Sequence, residues 1–129
     1  MITVHQKNSS GCGIACIAMM LGKSYSQTKS KLMHVDNCIT RNRFRINEEE
    51  LENALNHFKI KLHNPTKTRS WQRVTQTSIV QINKIGDRWH WVVFDSKQGK
   101  VRDPQSDGEF RCDFSRMRIS AFWPVKVKE

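Results

Sequence analysis

The sequence lacks a long hydrophobic run and a recognisable export signal. Its longest uninterrupted apolar stretch extends from Ile14 to Leu21, whereas a membrane-spanning helix needs roughly 20 residues. The N-terminus does not show a basic patch, an apolar stretch and a small-residue cleavage site in that order. We therefore expect no membrane partner and a cytoplasmic setting, either in the producing cell or after delivery into a target cell.

Acidic residues are scarce, since 12 Asp and Glu stand against 22 Lys and Arg and give a formal net charge of +10. A positive field of this size favours acidic partners, among which nucleic acid is the usual first candidate. The basic residues are scattered, however, and no zinc-finger spacing, basic zipper or RNA-binding signature accompanies them. The charge therefore favours a basic surface that attracts an acidic or nucleic-acid-associated protein.

Cysteine occurs at four positions, but not in a metal-binding pattern. Cys12 and Cys16 form a CxxxC pair with no second close pair of cysteines or histidines, so we predict no metal site and no cofactor. In a helix these two residues would be one turn apart, which does not favour a disulfide. Together with Cys38 and Cys112, they are expected to be reduced thiols.

The length of 129 residues and the hydrophobic content of 37% predict one compact domain over residues 1–129. Small and apolar residues between Gly11 and Gly22 predict a buried central helix, for which Ser9 and Ser10 are the candidate N-caps. A second helix is predicted from Ser26 to about His34. A third helix is predicted to begin after an Asn47 cap and to end near Lys59.

Short strands dominate the second half of the chain. Turn residues such as Gly86 and Gly99 separate them. The predicted strands are Ser78 to Asn83, Trp89 to Asp95, Lys100 to Asp103 and Ile119 to Val125, with a shorter strand at Ile60 to Leu62. Helices followed by antiparallel strands indicate the α+β class, not the alternation of a doubly wound sheet.

Cys12 is the first candidate for chemistry, because it stands at the predicted start of the buried helix. The unpaired amide groups and the dipole at a helix start favour a negatively charged thiolate. Gly11 and Gly13 flank Cys12 with small profiles, which would let a substrate backbone approach the sulfur. Taken alone, however, a cysteine at a helix start is equally consistent with a small buried hydrophobic residue.

A histidine and a carboxylate in the second half supply the groups that would activate Cys12. His90 lies in the predicted strand RWHWVVFD, between Trp89 and Trp91, and a strand can aim an imidazole rigidly. Asp103 follows another short strand as part of an Asp-Pro pair. From there its carboxylate would reach the distal nitrogen of His90 and fix the tautomer and orientation of the base.

Gln6 completes this set of candidate residues, six positions before Cys12. Acyl transfer builds negative charge on the former carbonyl oxygen. A side-chain amide together with the Cys12 backbone amide would donate hydrogen bonds to that oxygen.

In the order Gln, Cys, His and Asp, these motifs resemble the bacteriocin-processing cysteine peptidases, the papain-like domains that precede exporters of double-glycine-leader peptides. The similar segments are QKNSSGCGIACIAM at the opening, INEEELENAL at the acidic helix start, WHWVVF at the histidine and VRDPQ at the aspartate. The resemblance implies a papain-like fold with N-terminal helices packed on a C-terminal antiparallel sheet. It also implies that Cys12 is the nucleophile, His90 the general base, Asp103 the orienting acid and Gln6 the oxyanion donor. The resemblance further implies cleavage of a protein substrate after a Gly-Gly pair through a thioester intermediate.

Two positions depart from the family pattern: Gly11 stands where Asp is common, and Trp89 stands where Gly is common. We expect Gly11, Gly13, Trp89 and Trp91 to form the substrate-binding residues, with the bulk of Trp89 narrowing the cleft. The chain carries no membrane or ATPase portion, which favours a free-standing peptidase or an effector-toxin domain with an immunity or inhibitor protein as a further partner.

The sequence leaves two other functions open. A glutamine deamidase or transglutaminase-like toxin would use the same three groups through a thioester, and sequence does not separate a side-chain amide from a backbone amide as the target. In a non-enzymatic basic binding module, Cys12 would be merely a core residue.

Overall fold

In the computed structural model, which describes residues 1–35, 38–39, 43–111 and 113–126, three helices precede a five-stranded sheet. The helices are α1 (Cys12–Leu21), α2 (Tyr25–Leu32) and α3 (Glu48–His57). The strands are β1 (Thr66–Lys67), β2 (Ser78–Ile85), β3 (Arg88–Asp95), β4 (Lys100–Arg102) and β5 (Ile119–Pro124). Cys112 lies outside the described residues, so the expectation for its thiol is not addressed. None of the described helices has the length and apolar character needed to cross a membrane.

The sheet is antiparallel at every strand pairing, in the order β1-β5-β2-β3-β4. β2 and β3 form a hairpin whose turn contains Gly86 at a φ of 60°. Their register places Gln81 opposite Trp91 and Ile82 opposite His90. The α+β class and the predicted packing of N-terminal helices on a C-terminal antiparallel sheet are confirmed.

Two apolar cores cover the two faces of the sheet. The larger core lies between the helices and the sheet, and it includes Ile14, Ile17, Leu51, Ile79, Trp91 and Trp123. The smaller core lies on the opposite face, and it includes Val80, Val92, Val101 and Phe122. Trp91 and Val92 are neighbours on β3 but belong to different cores, as the alternation of side chains along a strand requires.

α1 is the central helix and is buried on nearly its whole circumference, as predicted. Its N-cap is Gly11 and no side chain caps it, so the prediction of Ser9 or Ser10 as the cap is wrong. Gly22 ends the helix in the left-handed conformation, with a φ of 66°, which a residue without Cβ adopts at no steric cost.

Capping boxes set the starts of the other two helices. Ser24 accepts a hydrogen bond from the backbone of Gln27, and the Gln27 side chain accepts one in return, so α2 begins one residue earlier than predicted. Asn47 and Glu50 form the same reciprocal pair at the start of α3, where Asn47 was the predicted cap.

The strand predicted at Ile60 to Leu62 is wrong, because this segment first closes the end of α3. Lys59 takes a φ of 58°, and the N–H of Ile60 donates to the carbonyl of Leu55 at 2.9 Å. That is the hydrogen bond with which a Schellman motif satisfies the last carbonyls of a helix. Leu62 forms only an isolated bridge with Val125, and β1 begins later, at Thr66.

Candidate active site

Cys12 is the first residue of α1, as predicted, so its backbone N–H has no partner within the helix. Its side chain is partly buried. The sulfur accepts a hydrogen bond from the backbone N–H of Trp91 at 3.5 Å, which joins the start of α1 to the middle of β3. The N–H donor and the positive end of the helix dipole therefore both lie next to the sulfur.

The structure brings His90 and Asp103 together, as the sequence predicted. His90 Nε2 lies 2.7 Å from Asp103 Oδ1. The side chain of Asp103 is only 3% exposed and that of His90 16%. Because Nε2 is engaged with the carboxylate, Nδ1 is the ring nitrogen left for Cys12, which also interacts with the imidazole.

The pKa of His90 reflects this position between two anionic partners. Burial, the largest influence, would lower the pKa of His90, but hydrogen bonds with Asp103 and Cys12 and the negative charges of both raise it to about 9. At neutral pH the imidazole is therefore protonated, with the Cys12 side chain as its neighbour. A protonated His90 beside the Cys12 sulfur carries the proton that a leaving group needs.

Asp103 is held from two further directions. Its Oδ1 accepts a hydrogen bond from the backbone N–H of Gln105 at 2.9 Å, and its Oδ2 accepts one from Arg111 Nη1 at 2.9 Å. Burial would raise the pKa of Asp103, but the hydrogen bonds from His90 and Gln105 and the charges of His90 and Arg111 lower it overall. The carboxylate therefore stays ionised and oriented.

Arg111 is the residue of this site that the sequence did not indicate. Its backbone N–H donates to the carbonyl of Val101 at 2.8 Å, which returns the segment after Asp103 to the edge of β4. Its guanidinium then spans Asp103 and Asp113. No local motif marks Arg111, because the contact depends on how residues 104–110 fold back.

Gln6 lies beside the site, but its amide is engaged elsewhere. The Nε2 group donates to the carbonyls of Asn8 at 2.9 Å and Ser9 at 3.0 Å, which uses both of its hydrogens. The backbone N–H of Gln6 donates to the carbonyl of Pro104 at 3.1 Å, so the segment is fixed next to Asp103. Donation from Gln6 to an oxyanion would require one of these carbonyls to be exchanged, and the role stays a prediction.

Gly11 and Gly13 are buried against protein side chains instead of facing an open cleft. A Cβ on Gly11 would lie 1.9 Å from Tyr25 Oη. A Cβ on Gly13 would lie 2.9 Å from Ile46 Cβ and 3.2 Å from Trp91 Cδ1. Both residues are small because the start of α1 packs closely on its neighbours, a reason different from the substrate approach expected from the sequence.

The two tryptophans that flank His90 differ in exposure. Trp91 is 1% exposed and its indole N–H donates to the carbonyl of Ile46 at 2.8 Å, so its ring lies in the core beneath the site. Only its backbone N–H reaches Cys12. Trp89 is partly exposed and packs edge-to-face on Trp91 with ring centroids 5.7 Å apart, so it is the tryptophan whose ring a substrate could contact.

The other described cysteines are unsuited to nucleophilic chemistry. Cys16 is fully buried, and burial, with the charges of Cys12 and Asp103, raises its thiol pKa well above the usual value. Burial also raises the pKa of Cys38 to about 11, with the charge of Glu50 adding to the effect. Within the described part of the chain, no three His, Cys, Asp or Glu side chains are grouped in a way that could hold a metal ion.

The arrangement provides a thiol, an imidazole and an ionised carboxylate in sequence, which is the set of groups that performs acyl transfer through a thioester. The sequence model of the Peptidase C39 family matches residues 1–119 of the chain. That range contains Gln6, Cys12, His90 and Asp103. No curated protein matches the chain closely enough to count as a relative.

Proposed function

Since the chain belongs to the Peptidase C39 family and is thereby indicated to be a cysteine peptidase, we propose that it is an endopeptidase that cleaves a protein after a Gly-Gly pair, using Cys12, His90 and Asp103. The observation that carries this proposal is the buried His90–Asp103 pair beside the Cys12 sulfur at the start of α1. A cysteine that only filled the core would not need an ionised partner of this kind.

In the proposed mechanism, the Cys12 thiolate attacks the substrate carbonyl carbon and forms a C–S bond. The negative charge moves to the carbonyl oxygen, where the backbone N–H of Cys12 can donate a hydrogen bond. The tetrahedral species then collapses, the C–N bond breaks and the His90 imidazolium gives its proton to the leaving amine.

The second half of the cycle hydrolyses the thioester. Neutral His90 takes a proton from a water molecule, whose oxygen attacks the thioester carbon, and the C–S bond breaks to restore the Cys12 thiolate. Asp103 keeps Nε2 of His90 engaged throughout, so Nδ1 is the nitrogen that gives and takes the proton. Gln6 would assist at the oxyanion after exchanging one of its two carbonyl contacts.

Trp89 supports the proposed Gly-Gly preference. Its ring is partly exposed and lies directly before His90, where a smaller residue would leave a wider approach. A narrow approach favours substrate residues without side chains before the cut. We propose further that the substrate is an acidic or nucleic-acid-associated protein and that the domain acts as a toxin effector restrained by an inhibitor protein, which the net charge of +10 supports.

A cleavage experiment tests the proposal. Purified protein and its Cys12→Ala variant are incubated with a cell lysate, and new N-termini are compared by mass spectrometry. We expect new N-termini that require Cys12 and follow Gly-Gly. Cuts without a small residue before them would remove the Gly-Gly preference, and conversion of glutamine to glutamate without new N-termini would identify a deamidase instead.

The pH dependence of cleavage should report the His90 pKa. We expect kcat/KM to fall as the pH rises through about 9, because His90 then loses the proton that the leaving amine needs. The raised pKa also means that protonated His90 stabilises the fold fully below its unfolded value of ~6.5, and that this contribution is lost as the pH rises through the folded value. The measurement is kcat/KM of a fluorogenic Gly-Gly peptide across neutral and alkaline pH.

The Asp103→Asn variant tests whether the alkaline decline of kcat/KM belongs to His90. Asp103 helps to raise the His90 pKa through its hydrogen bond and charge. Loss of the Asp103 carboxylate should therefore lower the His90 pKa and move the decline in kcat/KM to lower pH. An alkaline decline that stays at the same pH in this variant would contradict the assignment to His90.

Arg111→Gln should lower kcat with little change in KM. The substitution removes the guanidinium that fixes Asp103 Oδ2, so the carboxylate orients His90 less well, and a loss of roughly tenfold is expected for one charge-assisted hydrogen bond. Arg111→Lys should recover part of the loss because it keeps the charge without the planar fork. Arg73→Gln, at an exposed arginine away from the site, is the matched control, and an equal effect there would refute a specific role for Arg111.

A further inference from the structure

A second site is suggested by a basic groove on the β1–β5 side of the sheet. The groove has a volume of about 920 Å³. We use the name basic groove for the space lined by five exposed cationic residues, Lys67, Arg69, Lys84, Arg116 and Arg118. Glu48 is the one acidic residue in its lining, so the lining is strongly positive.

The charges of the basic groove are only weakly offset by the described residues, among which Asp113 interacts with Arg116 through charge without forming an ion pair with it. None of the five cationic side chains forms an ion pair with another residue in the part of the chain that the structure describes. By contrast, Arg102, which lies outside the groove, is paired with Asp95 and Glu109. Unpaired cations around one concave surface attract an anionic partner and concentrate it there.

Gln81 is an independent sign that a polar partner is missing from the groove. It lines the groove, is 2% exposed, and its Oε1 accepts a hydrogen bond from Ser120 Oγ at 2.7 Å. Its Nε2 is buried and has no acceptor among the described residues. Buried amide groups in proteins are almost always hydrogen-bonded, and a bound group that brings an acceptor oxygen would satisfy this donor.

The basic groove approaches the strand that carries His90 through Lys84. Lys84 lines the groove and its Nζ lies 5.6 Å from the centre of the Trp89 ring. Gln81 is the β2 partner of Trp91, whose backbone N–H binds the Cys12 sulfur. A chain that passes the catalytic residues could therefore extend into the groove.

We propose that the basic groove binds an acidic segment of the protein substrate, with Asp or Glu carboxylates of that segment held by the five cations and Gln81. This inference rests on the proposed peptidase function for the identity of the bound chain. The groove lies apart from the catalytic groups, so it would select the substrate and leave the chemistry of bond cleavage to them.

Two features favour a polypeptide over a nucleic acid as the occupant. A carboxylate at the end of a side chain can enter a deep polar position such as that of Gln81, whereas a phosphodiester is flanked by the sugar on both sides. The aromatic residue in the lining, Trp71, donates its indole N–H to the carbonyl of Met117 and packs edge-to-face on Phe114. The lining thus holds one aromatic ring, which is already engaged in these two contacts, whereas binding of single-stranded nucleic acid relies on several free aromatic faces on which successive bases stack.

The test measures binding without cleavage, on the Cys12→Ala protein. Fluorescence polarisation follows a labelled peptide of repeated Glu-Gly-Ser units and a matched peptide with Gln in place of Glu. We expect saturable binding of the Glu peptide only, weakened by salt. In this background Arg69→Gln/Arg118→Gln should weaken binding about tenfold, because each exposed ion pair contributes a few-fold to affinity.

Lys23→Gln/Lys61→Gln is the matched control, since it removes the same charge at exposed lysines outside the groove. Binding of the Glu peptide should stay within about twofold there, as expected from long-range charge alone. Equal weakening in both double variants, or no saturable binding, would overturn the groove as a specific site. Tighter, groove-dependent binding of a single-stranded oligonucleotide would also overturn it, in favour of a nucleic-acid site.

The two proposals fail separately in these experiments. Groove-dependent binding of the Glu peptide together with an inactive wild-type enzyme would refute the proposed function and leave the anionic-peptide site. Cleavage of Gly-Gly peptides by the wild type without groove-dependent binding would refute the site and leave the peptidase.

Discussion

Cys12→Ala should abolish cleavage of a Gly-Gly peptide, with a loss of kcat/KM of about 10⁴-fold or more. The reason is that the thioester cannot form without the sulfur, and no other described thiol can replace it. Cys16 is one turn further along α1 but is fully buried, and Cys38 is also buried. The measurement is the rate of peptide hydrolysis, together with a circular dichroism spectrum to show that the fold is kept.

Cys16→Ala is the matched control for this experiment, because it removes a thiol from the same helix. We expect nearly unchanged kcat/KM and a loss of about 1 kcal/mol of folding stability from the small cavity left in the core. A Cys12→Ala protein that cleaved the peptide as fast as the wild type would show that Cys12 is not the nucleophile, whereas a wild type that cleaves nothing would favour the non-enzymatic binding module.

His90→Gln should lower kcat/KM by about 10³-fold or more, because glutamine hydrogen-bonds but neither holds nor transfers a proton at neutral pH. A second readout separates this effect from a general loss of structure. Iodoacetamide should modify Cys12 rapidly at neutral pH in the wild type and slowly in His90→Gln, since the imidazolium that stabilises the thiolate is gone. Peptide mapping assigns the modified cysteine.

His63→Gln serves as the control, because His63 is exposed and lies away from Cys12 in the loop before β1. It should leave both the cleavage rate and the alkylation rate unchanged. If Cys12 were alkylated at the same rate in wild-type and His90→Gln proteins, the thiolate would not depend on His90 and the proposed ion pair would be wrong.

Much of the fold followed from local patterns in the sequence. The unbroken apolar segment predicted α1, the Asn47 cap and acidic first turn predicted α3, and strand-forming segments separated by turn residues predicted β2 and β3. The contact between His90 and Asp103 was also predictable. His90 lies on one short strand and Asp103 directly follows the next, and a β-meander places such strands side by side. These features depend on neighbours in the chain, so a sequence can express them.

The features that were not predicted depend on contacts across the chain. Arg111 reaches Asp103 only because its segment folds back onto Val101. Ile60 has the alternating neighbours of a strand residue, but its N–H is required to close α3. The sequence also did not indicate that Trp91 is buried. It shows two tryptophans beside a histidine but does not show which of the two rings the helices cover.

The position of the Tyr25 side chain restricts which residue can replace Gly11. Its hydroxyl donates to Asn8 Oδ1 at 2.8 Å and occupies the space that a side chain at Gly11 would need. A single substitution that placed Asp at position 11, the residue common in similar domains, would therefore require the buried Tyr25 side chain to shift and to give up its hydrogen bond with Asn8. We therefore expect substitutions at positions 11 and 25 to be coupled, so that a smaller residue at position 25 makes a side chain at position 11 less costly to folding stability.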